Sequence, residues 1–374
     1  VSLLFKGLRF RIYPYKMQQK QIQHSFGCCR YVYYEGLAFR QEQYECGNPI
    51  GYNETWRLLY KLKHDGEHNW LKDVDTTALQ QCLRDLDKGY KNFFNKIAKY
   101  PKFKSKHNHN MSYRTNNGNY QRKEQLIMIK GNYIKLPKLG YVKAKITYND
   151  IDGVIKNATI SQVPSGKYFV SLCIDYEDKI YNNNGGMIGL DVGIKDFCID
   201  SNGNKIENPK YLSKSLDKLK KEHKKLSKKK LGSKNWDKQR IKVARVYEHI
   251  TNQRNDFLQK LSTTLVRENQ IICVEDLNVS GMVKNHKLAR SISDVSWSKF
   301  FDMLDYKAYS HGTEIIKVPR FYASSQICSN CSYQNTETKD LSVRKWICPK
   351  CGTIHDRDIN AAINILHKGL EIRE

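Results

Sequence analysis

Leu8, Phe10 and Ile12 alternate with Arg9, Arg11 and Tyr13 as far as Pro14, which predicts a strand with one apolar and one cationic face. From about Gln18 the spacing becomes helical, with Ile22 and Phe26 on one face and Gly47-Asn48-Pro49 as the stop. A second helical stripe joins Leu79, Leu83, Leu86, Tyr90 and Phe94. The basic loop Lys102-Phe103-Lys104-Ser105-Lys106-His107 follows it. From about Tyr120 to Asp175 short strands dominate, most clearly where Tyr168, Val170, Leu172 and Ile174 alternate. The N-terminal half reads as a helical module interrupting a small β-rich domain.

Asn182-Asn183-Asn184-Gly185-Gly186 is a linker at which the composition changes. Beyond it, Met187 to Asp191 is an apolar strand ending in a carboxylate. Phe197-Cys198-Ile199 with Asn202-Gly203 predicts its hairpin partner. Leu212, Leu216, Leu219, His223 and Leu226 then step by three and four along a helix. The other faces of that helix carry Lys214, Lys218, Lys220, Lys221, Lys224, Lys225, Lys228, Lys229 and Lys230. A turn at Gly232-Ser233 leads to a second helix reaching about Arg267, lined by Phe257, Leu258, Leu261 and Leu265. Ile271-Ile272-Cys273-Val274-Glu275 is a second buried strand ending in a carboxylate. Asp294 to Tyr309 reads as one amphipathic helix through Trp297, Phe300, Phe301 and Leu304.

Charge narrows the function. The 374 residues carry 64 Lys+Arg against 38 Asp+Glu, a formal net charge of +26. Such an excess calls for a polyanionic partner, held through counterion release along a phosphate backbone. The lysine-rich helix reads as having no acidic complement, so its cations repel unless something anionic lies on them. No long apolar run marks a membrane span. The opening Val1-Ser2-Leu3-Leu4-Phe5 is too short for a signal sequence and is followed by Lys6, Arg9 and Arg11. The expected setting is a reduced, prokaryotic cytoplasm.

Of 11 cysteines, seven (Cys28, Cys29, Cys46, Cys82, Cys173, Cys198 and Cys273) are scattered and read as buried or incidental thiols. The other four form two CxxC pairs, Cys328-Ser329-Asn330-Cys331 and Cys348-Pro349-Lys350-Cys351, with 348 − 331 − 1 = 16 residues between them. That spacing predicts one structural Zn2+ closed by four thiolates. Immediately beyond it, Asp356 and Asp358 open an apolar helix through Ala361, Ala362, Ile365 and Leu366.

Three carboxylates thus stand out, at two strand ends and one helix start. Each has an ordinary alternative. Asp356 or Asp358 could cap the helix, Glu275 could pair with a lysine, and Asp191 could serve the turn before Gly193. Together they match an RNase H-like site, where three carboxylates hold two divalent ions for phosphodiester hydrolysis. Mg2+ suits an all-oxygen ligand set.

At this point a resemblance becomes specific. Ile188-Gly189-Leu190-Asp191-Val192-Gly193, Val274-Glu275-Asp276-Leu277-Asn278, the CxxC pairs and Asp358-Ile359-Asn360-Ala361-Ala362 resemble the split RuvC nuclease of the transposon-encoded TnpB family, compact relatives of type V CRISPR effectors. Phe10-Arg11-Ile12-Tyr13-Pro14, Tyr90-Lys91-Asn92-Phe93-Phe94 and Leu136-Pro137-Lys138-Leu139-Gly140 share it. The resemblance implies an α/β multidomain protein with a β-rich wedge domain at 1–14 and 120–182 and a helical recognition domain at 15–119. It implies an RNase H-like (RuvC) nuclease domain at 183–374, with a zinc-binding insertion at 320–355. It implies an RNA-guided DNA endonuclease, one protein chain per guide RNA from the transposon end, cutting double-stranded DNA beside a short motif. Asp191, Glu275 and Asp358 (not Asp356) would be catalytic and would bind two Mg2+. Tyr52, Thr76, Thr77, Gln80, Thr115 and Asn116 would read the motif, and Lys214, Lys218, Lys221, Lys225 and Lys228 would lie on nucleic-acid backbone. A DDE-type transposase is disfavoured by the Asp, Glu, Asp order and by the absence of a separate helix-turn-helix arm. A type V CRISPR effector and a non-cleaving RNA-guided repressor are the alternatives.

Overall fold

The computed structural model describes residues 4–105, 111–118, 125–147, 153–176, 181–340 and 342–374. Lys106 and His107 of the basic loop, the first three residues, and the expected start of the strands at Tyr120 lie outside them. The chain divides into two compact units, Val1–Asp178 and Lys179–Glu374.

The first unit begins with β1 (Leu4–Tyr13), followed by α1 (Lys16–Glu45), α2 (Tyr52–His64) and α3 (Thr76–Phe94). Six strands follow: β2 (Met111–Asn116), β3 (Met128–Lys130), β4 (Tyr133–Leu136), β5 (Gly140–Lys145), β6 (Val154–Gln162) and β7 (Tyr168–Tyr176). They form an antiparallel seven-stranded sheet in the order β2-β6-β7-β1-β5-β4-β3. The alternation read from sequence is the real one. Leu8, Phe10 and Ile12 of β1 and Val170, Leu172 and Ile174 of β7 face inward, onto Ile22, Phe26 and Val32 of α1 and Leu79 and Leu83 of α3. Sheet and helices therefore share one core. The side chain of buried Gln18 ties the start of α1 to the carbonyls of Leu139 and Tyr141, at 3.0 and 2.9 Å.

The strand β2 belongs to the sheet, so a boundary at 119/120 falls beyond a strand already paired with β6. Helix α2 had no counterpart in the sequence reading, because Thr55 and Leu59 are its buried residues and make no apolar stripe.

The second unit starts with β8 (Gly186–Val192), β9 (Asp196–Asp200) and β10 (Lys205–Glu207), an antiparallel meander turning at Gly203. A helical hairpin follows, α4 (Tyr211–Ser227) and α5 (Lys234–Glu268), closed on Leu219, Val246 and Ile250. Next come β11 (Asn269–Glu275), α6 (Val279–Met282), α7 (Ala289–Val295), α8 (Trp297–His311) and β12 (Glu314–Val318). The short ribbon β13 (Lys345–Ile347) and β14 (Ile354–Asp356) precedes α9 (Arg357–Arg373). The sheet order is β10-β9-β8-β11-β12, with β11 parallel to both β8 and β12.

The single helix expected from Asp294 to Tyr309 is broken at Ser296, whose φ of 61° ends α7. Asp294 is held there by Arg254 at 2.7 Å and by the backbone N–H of Leu212 at 3.2 Å, which fixes α7 against α4 and α5. The lysine-rich helix ends at Ser227, leaving Lys228 as its cap, and it does carry acidic partners. Lys225 lies 2.8 Å from Glu222 and Lys220 lies 3.8 Å from Asp217. Spacing of three residues also places partners on one helix face, so the reading of an uncomplemented helix was too strict.

Candidate metal centres and nucleic-acid interface

The carboxylates are brought together by sheet register and one close helix contact. Parallel pairing sets Gly189 opposite Cys273 and Leu190 opposite Val274. Asp191 and Glu275 therefore follow at the same end of adjacent strands. Helix α9 lies directly on β8: a Cβ at Gly189 would sit 2.2 Å from the Ala362 carbonyl oxygen, and one at Gly369 would sit 2.3 Å from Cys273 Sγ. Only glycine permits that approach. Four residues back along α9 is a rise of about 6 Å, and two residues forward along β8 is about 6.6 Å. The two steps bring Asp358 level with Asp191.

Electrostatics agree with the geometry. Burial, then the charges of Glu275 and Asp358, push the Asp191 carboxyl up to about 8, and the Arg357 charge opposes them. Burial also raises Glu275, while Ser324 Oγ donates to its Oε1 at 2.8 Å and works the other way. Asp191 is thus the member that feels both others.

Asp356 and Asp358 differ in what their oxygens meet. Asp356 Oδ1 caps α9 by accepting from the N–H groups of Asp358 and Ile359, and its Oδ2 accepts from Lys205 Nζ at 2.7 Å. Its oxygens are occupied. Asp358, in the first turn, accepts from Arg344 Nη1 at 3.4 Å. A buried carboxyl raised further by two neighbouring carboxylates is of the chemistry that hard divalent cations favour.

The four cysteines make a tighter group, with sulfurs all within 4.8 Å of one another. Cys328 and Cys351 are 3.7 Å apart, and Cys331 and Cys348 are 3.6 Å apart. Zn–S bonds of about 2.3 Å give a tetrahedral edge near 3.8 Å, so the sulfurs fit zinc. Each CxxC closes in the same way. The N–H of Ser332 (φ 62°) donates to the Cys328 carbonyl at 2.9 Å, and that of Gly352 (φ 73°) donates to the Cys348 carbonyl at 2.8 Å. His355, packed against Trp346 with the rings tilted by 35°, places Nε2 3.0 Å from Cys328 Sγ.

Residues outside the sequence reading join the two centres. Asn360 Nδ2 donates to the Ile327 carbonyl at 2.7 Å, and Asn364 Nδ2 donates to the carbonyls of Ser324 and Ile327 at 2.8 and 2.6 Å. Asn360 Oδ1 accepts from the Ser329 N–H at 3.0 Å. The segment from Ser324 to the first CxxC pair is therefore stitched to the helix that carries Asp358. The Asn positions were visible in the D-x-N-A-A run; their partners, some 30 to 40 residues away, were not.

The expected motif readers gather where α3 begins. Asp75 caps α3 through the Thr77 N–H and accepts from the Thr115 hydroxyl, joining the end of β2 to the helix. Thr115 is 1% exposed with its hydroxyl engaged, which removes it from direct contact with a base. Thr76 accepts from Lys63 Nζ at 2.7 Å, and the Tyr52 phenol accepts from Arg84 at 3.3 Å, one turn beyond Gln80. Asn116 ends β2 partly exposed. In the second unit, Lys214, Lys218, Lys221, Lys225 and Lys228 are all exposed.

Three family models match the chain: "Probable transposase" over residues 171–286, "Cas12f1-like, TNB domain" over 297–365 and "Helix-turn-helix domain" over 5–49. The last segment forms a strand and one continuous helix, not two helices. A "Putative RNA-guided DNA endonuclease" of Streptomyces pristinaespiralis is 36% identical over 367 residues, covering 98% of this chain and 89% of the relative. The "Putative RNA-guided DNA endonuclease InsQ" of Escherichia coli is 33% identical over 383 residues, covering 97% and 92%. Among solved structures, Cas12f1 in its complex with sgRNA and target DNA superposes with a TM-score of 0.51 at 15% identity, over 97% of this chain and 98% of that one. That likeness is one of fold. Among the described residues, no helix is long and apolar enough to cross a membrane.

Proposed function

This chain belongs to the transposon-encoded TnpB family, and on that premise we propose that it is an RNA-guided endonuclease that cuts double-stranded DNA beside a short motif. The observation that carries the reading is the meeting of Asp191, Glu275 and Asp358 at one end of the β8–β11 pair. The strand order, three antiparallel strands followed by two parallel ones, supports an RNase H-like (RuvC) nuclease domain. The ribbon and cysteine cluster support a zinc-binding insertion at 320–355.

Asp191, Glu275 and Asp358 would hold two Mg2+; when bound, such ions supply an activated water and stabilise the departing 3′ oxygen. The protein's own groups set the stage. Ser324 fixes one oxygen of Glu275 by donating to it at 2.8 Å. Asp356, by capping α9, fixes the backbone of the first turn on which Asp358 sits. Arg344, paired to Asp358 only at 3.4 Å, is placed to exchange that carboxylate for a substrate phosphate. Four thiolates saturate zinc, so the cysteine centre is structural.

The first unit would combine wedge and recognition functions, with Tyr52, Thr76, Thr77, Gln80 and Asn116 reading the motif. Sequence choice beyond the motif would fall to base pairing with a guide RNA, one protein chain per guide. Retention of all three carboxylates disfavours a non-cleaving repressor. A type V CRISPR effector would share this chemistry and differ in the source of its RNA. The test is a plasmid library with a fixed guide match and a randomised flank. Cleavage should require the RNA and select a few flanking sequences, and Gln80→Ala or Asn116→Ala should change that selection. Equal cutting of every flank, or cutting by protein stripped of RNA, would refute the proposal.

A further inference from the structure

Phe321 is 93% exposed, the most exposed large hydrophobic side chain among the described residues. It stands on a tight turn in which the Tyr322 N–H donates to the Pro319 carbonyl at 3.0 Å. Both ends of that turn are fastened to the carboxylate site. On one side Val318 pairs with Glu275, and Arg320 donates to the Asp276 carbonyl at 3.1 Å and to its carboxylate at 2.6 Å. On the other, Ser324 bonds Glu275, and its own carbonyl is held by Asn364. Tyr322 turns inward onto the apolar cluster of Ile271, Ile316 and Val318, so the adjacent ring is left in solvent.

An aromatic ring held in water on a pinned turn gains nothing for folding. Ser324 is three steps along the chain, at most about 10 Å away, so the ring stands near Glu275, which Ser324 bonds. Its engaged neighbour Arg320 is not free to clamp a phosphate. The ring offers only a π face, which suits any unpaired base and reads no sequence. A base within a duplex already has both faces covered. A single protruding ring is also much smaller than the apolar patch a protein partner needs.

We propose that Phe321 stacks on a base of the single DNA strand entering the site, within a nucleotide or two of the scissile phosphate. The proposal rests on the endonuclease reading. The experiment compares F321A, F321L and F321W in the guide-loaded protein, following single-turnover cleavage, guided target binding and melting. It adds 2-aminopurine, placed in turn at positions flanking the cut, in the Asp191→Asn background. F321A should slow cleavage roughly tenfold, F321L less, and F321W should cut near the wild-type rate. Target binding and Tm should not move. Fluorescence at one position should be quenched with Phe or Trp and released with Ala. Unchanged cleavage in F321A, equal loss in F321W, or no position-specific quenching would overturn the proposal. If the wild-type protein fails to cut guide-matched DNA, the endonuclease reading falls instead. Quenching of a free 2-aminopurine single strand, tested with and without Phe321, then still decides whether the ring stacks on bases.

Discussion

At the scale of single residues, the side chain on which the proposed chemistry turns is Asp191. It feels the charges of both Glu275 and Asp358, and burial and like charge both favour its protonated form. In the metal-free protein its carboxyl therefore keeps a proton to about pH 8, while the unfolded chain loses it near 3.8. The sign follows from linkage: the folded state binds more protons across that window, so this group's contribution to stability falls as pH rises through it. Asp191→Asn should abolish guided cleavage and leave guided binding intact. Without divalent ions the variant should also be more stable than wild type by at least about 1 kcal/mol at pH 8.5, with the gap closing toward pH 4. Thermal melts with a chelator across that range test this. A variant equally stable at every pH would mean that Asp191 is not held in an unfavourable ionised state.

The decisive element is α9. Its first turn presents Asp358, its glycine-lined contact with β8 sets the depth of that carboxylate, and Asn360 and Asn364 tie it to the first zinc knuckle. The knuckle region has little core of its own, with Cys328, Trp346 and Cys348 as its buried cluster. Its folding should accordingly depend on the metal, as in small zinc modules whose binding energy is their folding energy. Cys328→Ser or Cys351→Ser should remove one zinc per chain by elemental analysis and open residues 325–355 to protease. Cleavage should drop at least about a hundredfold while the β8–β12 sheet keeps its cooperative melt. Full activity in zinc-free protein would contradict the coupling through Asn360 and Asn364.

Over the whole molecule, a net charge of +26 means that affinity for nucleic acid is governed by salt. The helical hairpin concentrates part of that charge on an exposed face, but not every lysine on it is equivalent. Lys225 is engaged by Glu222, whereas Lys214, Lys218, Lys221 and Lys228 are candidates for direct phosphate contact. Replacing those four with Gln should weaken guide-RNA binding for every guide sequence. The slope of log affinity against log salt should become shallower by about 3, near 0.7 to 0.9 per contact. Lys225→Gln should change the slope least. An unchanged slope in the fourfold variant would take the hairpin out of the nucleic-acid surface.

What could be read from the sequence was whatever repeats at short range. A period of two in β1 and β7, stripes in α3 and α5, apolar strands ending in Asp191 and Glu275, and two CxxC pairs at closing distance are all written in neighbouring residues. Steric and packing rules act directly on such patterns. The tertiary structure alone decided matters that depend on residues far apart. It joined β2 to the sheet, turned the chain at Ser296 around the Asp294 contacts, and buried Thr115 against Asp75. It also brought Ser324 to Glu275 and occupied Asp356 with a helix cap and Lys205. The resemblance names Asp358, but the engagement of Asp356 is invisible in the sequence, because Lys205 lies about 150 residues from the helix start it meets. Hydrogen bonds and charges act across space, and spacing along the chain records them only where the chain stays local.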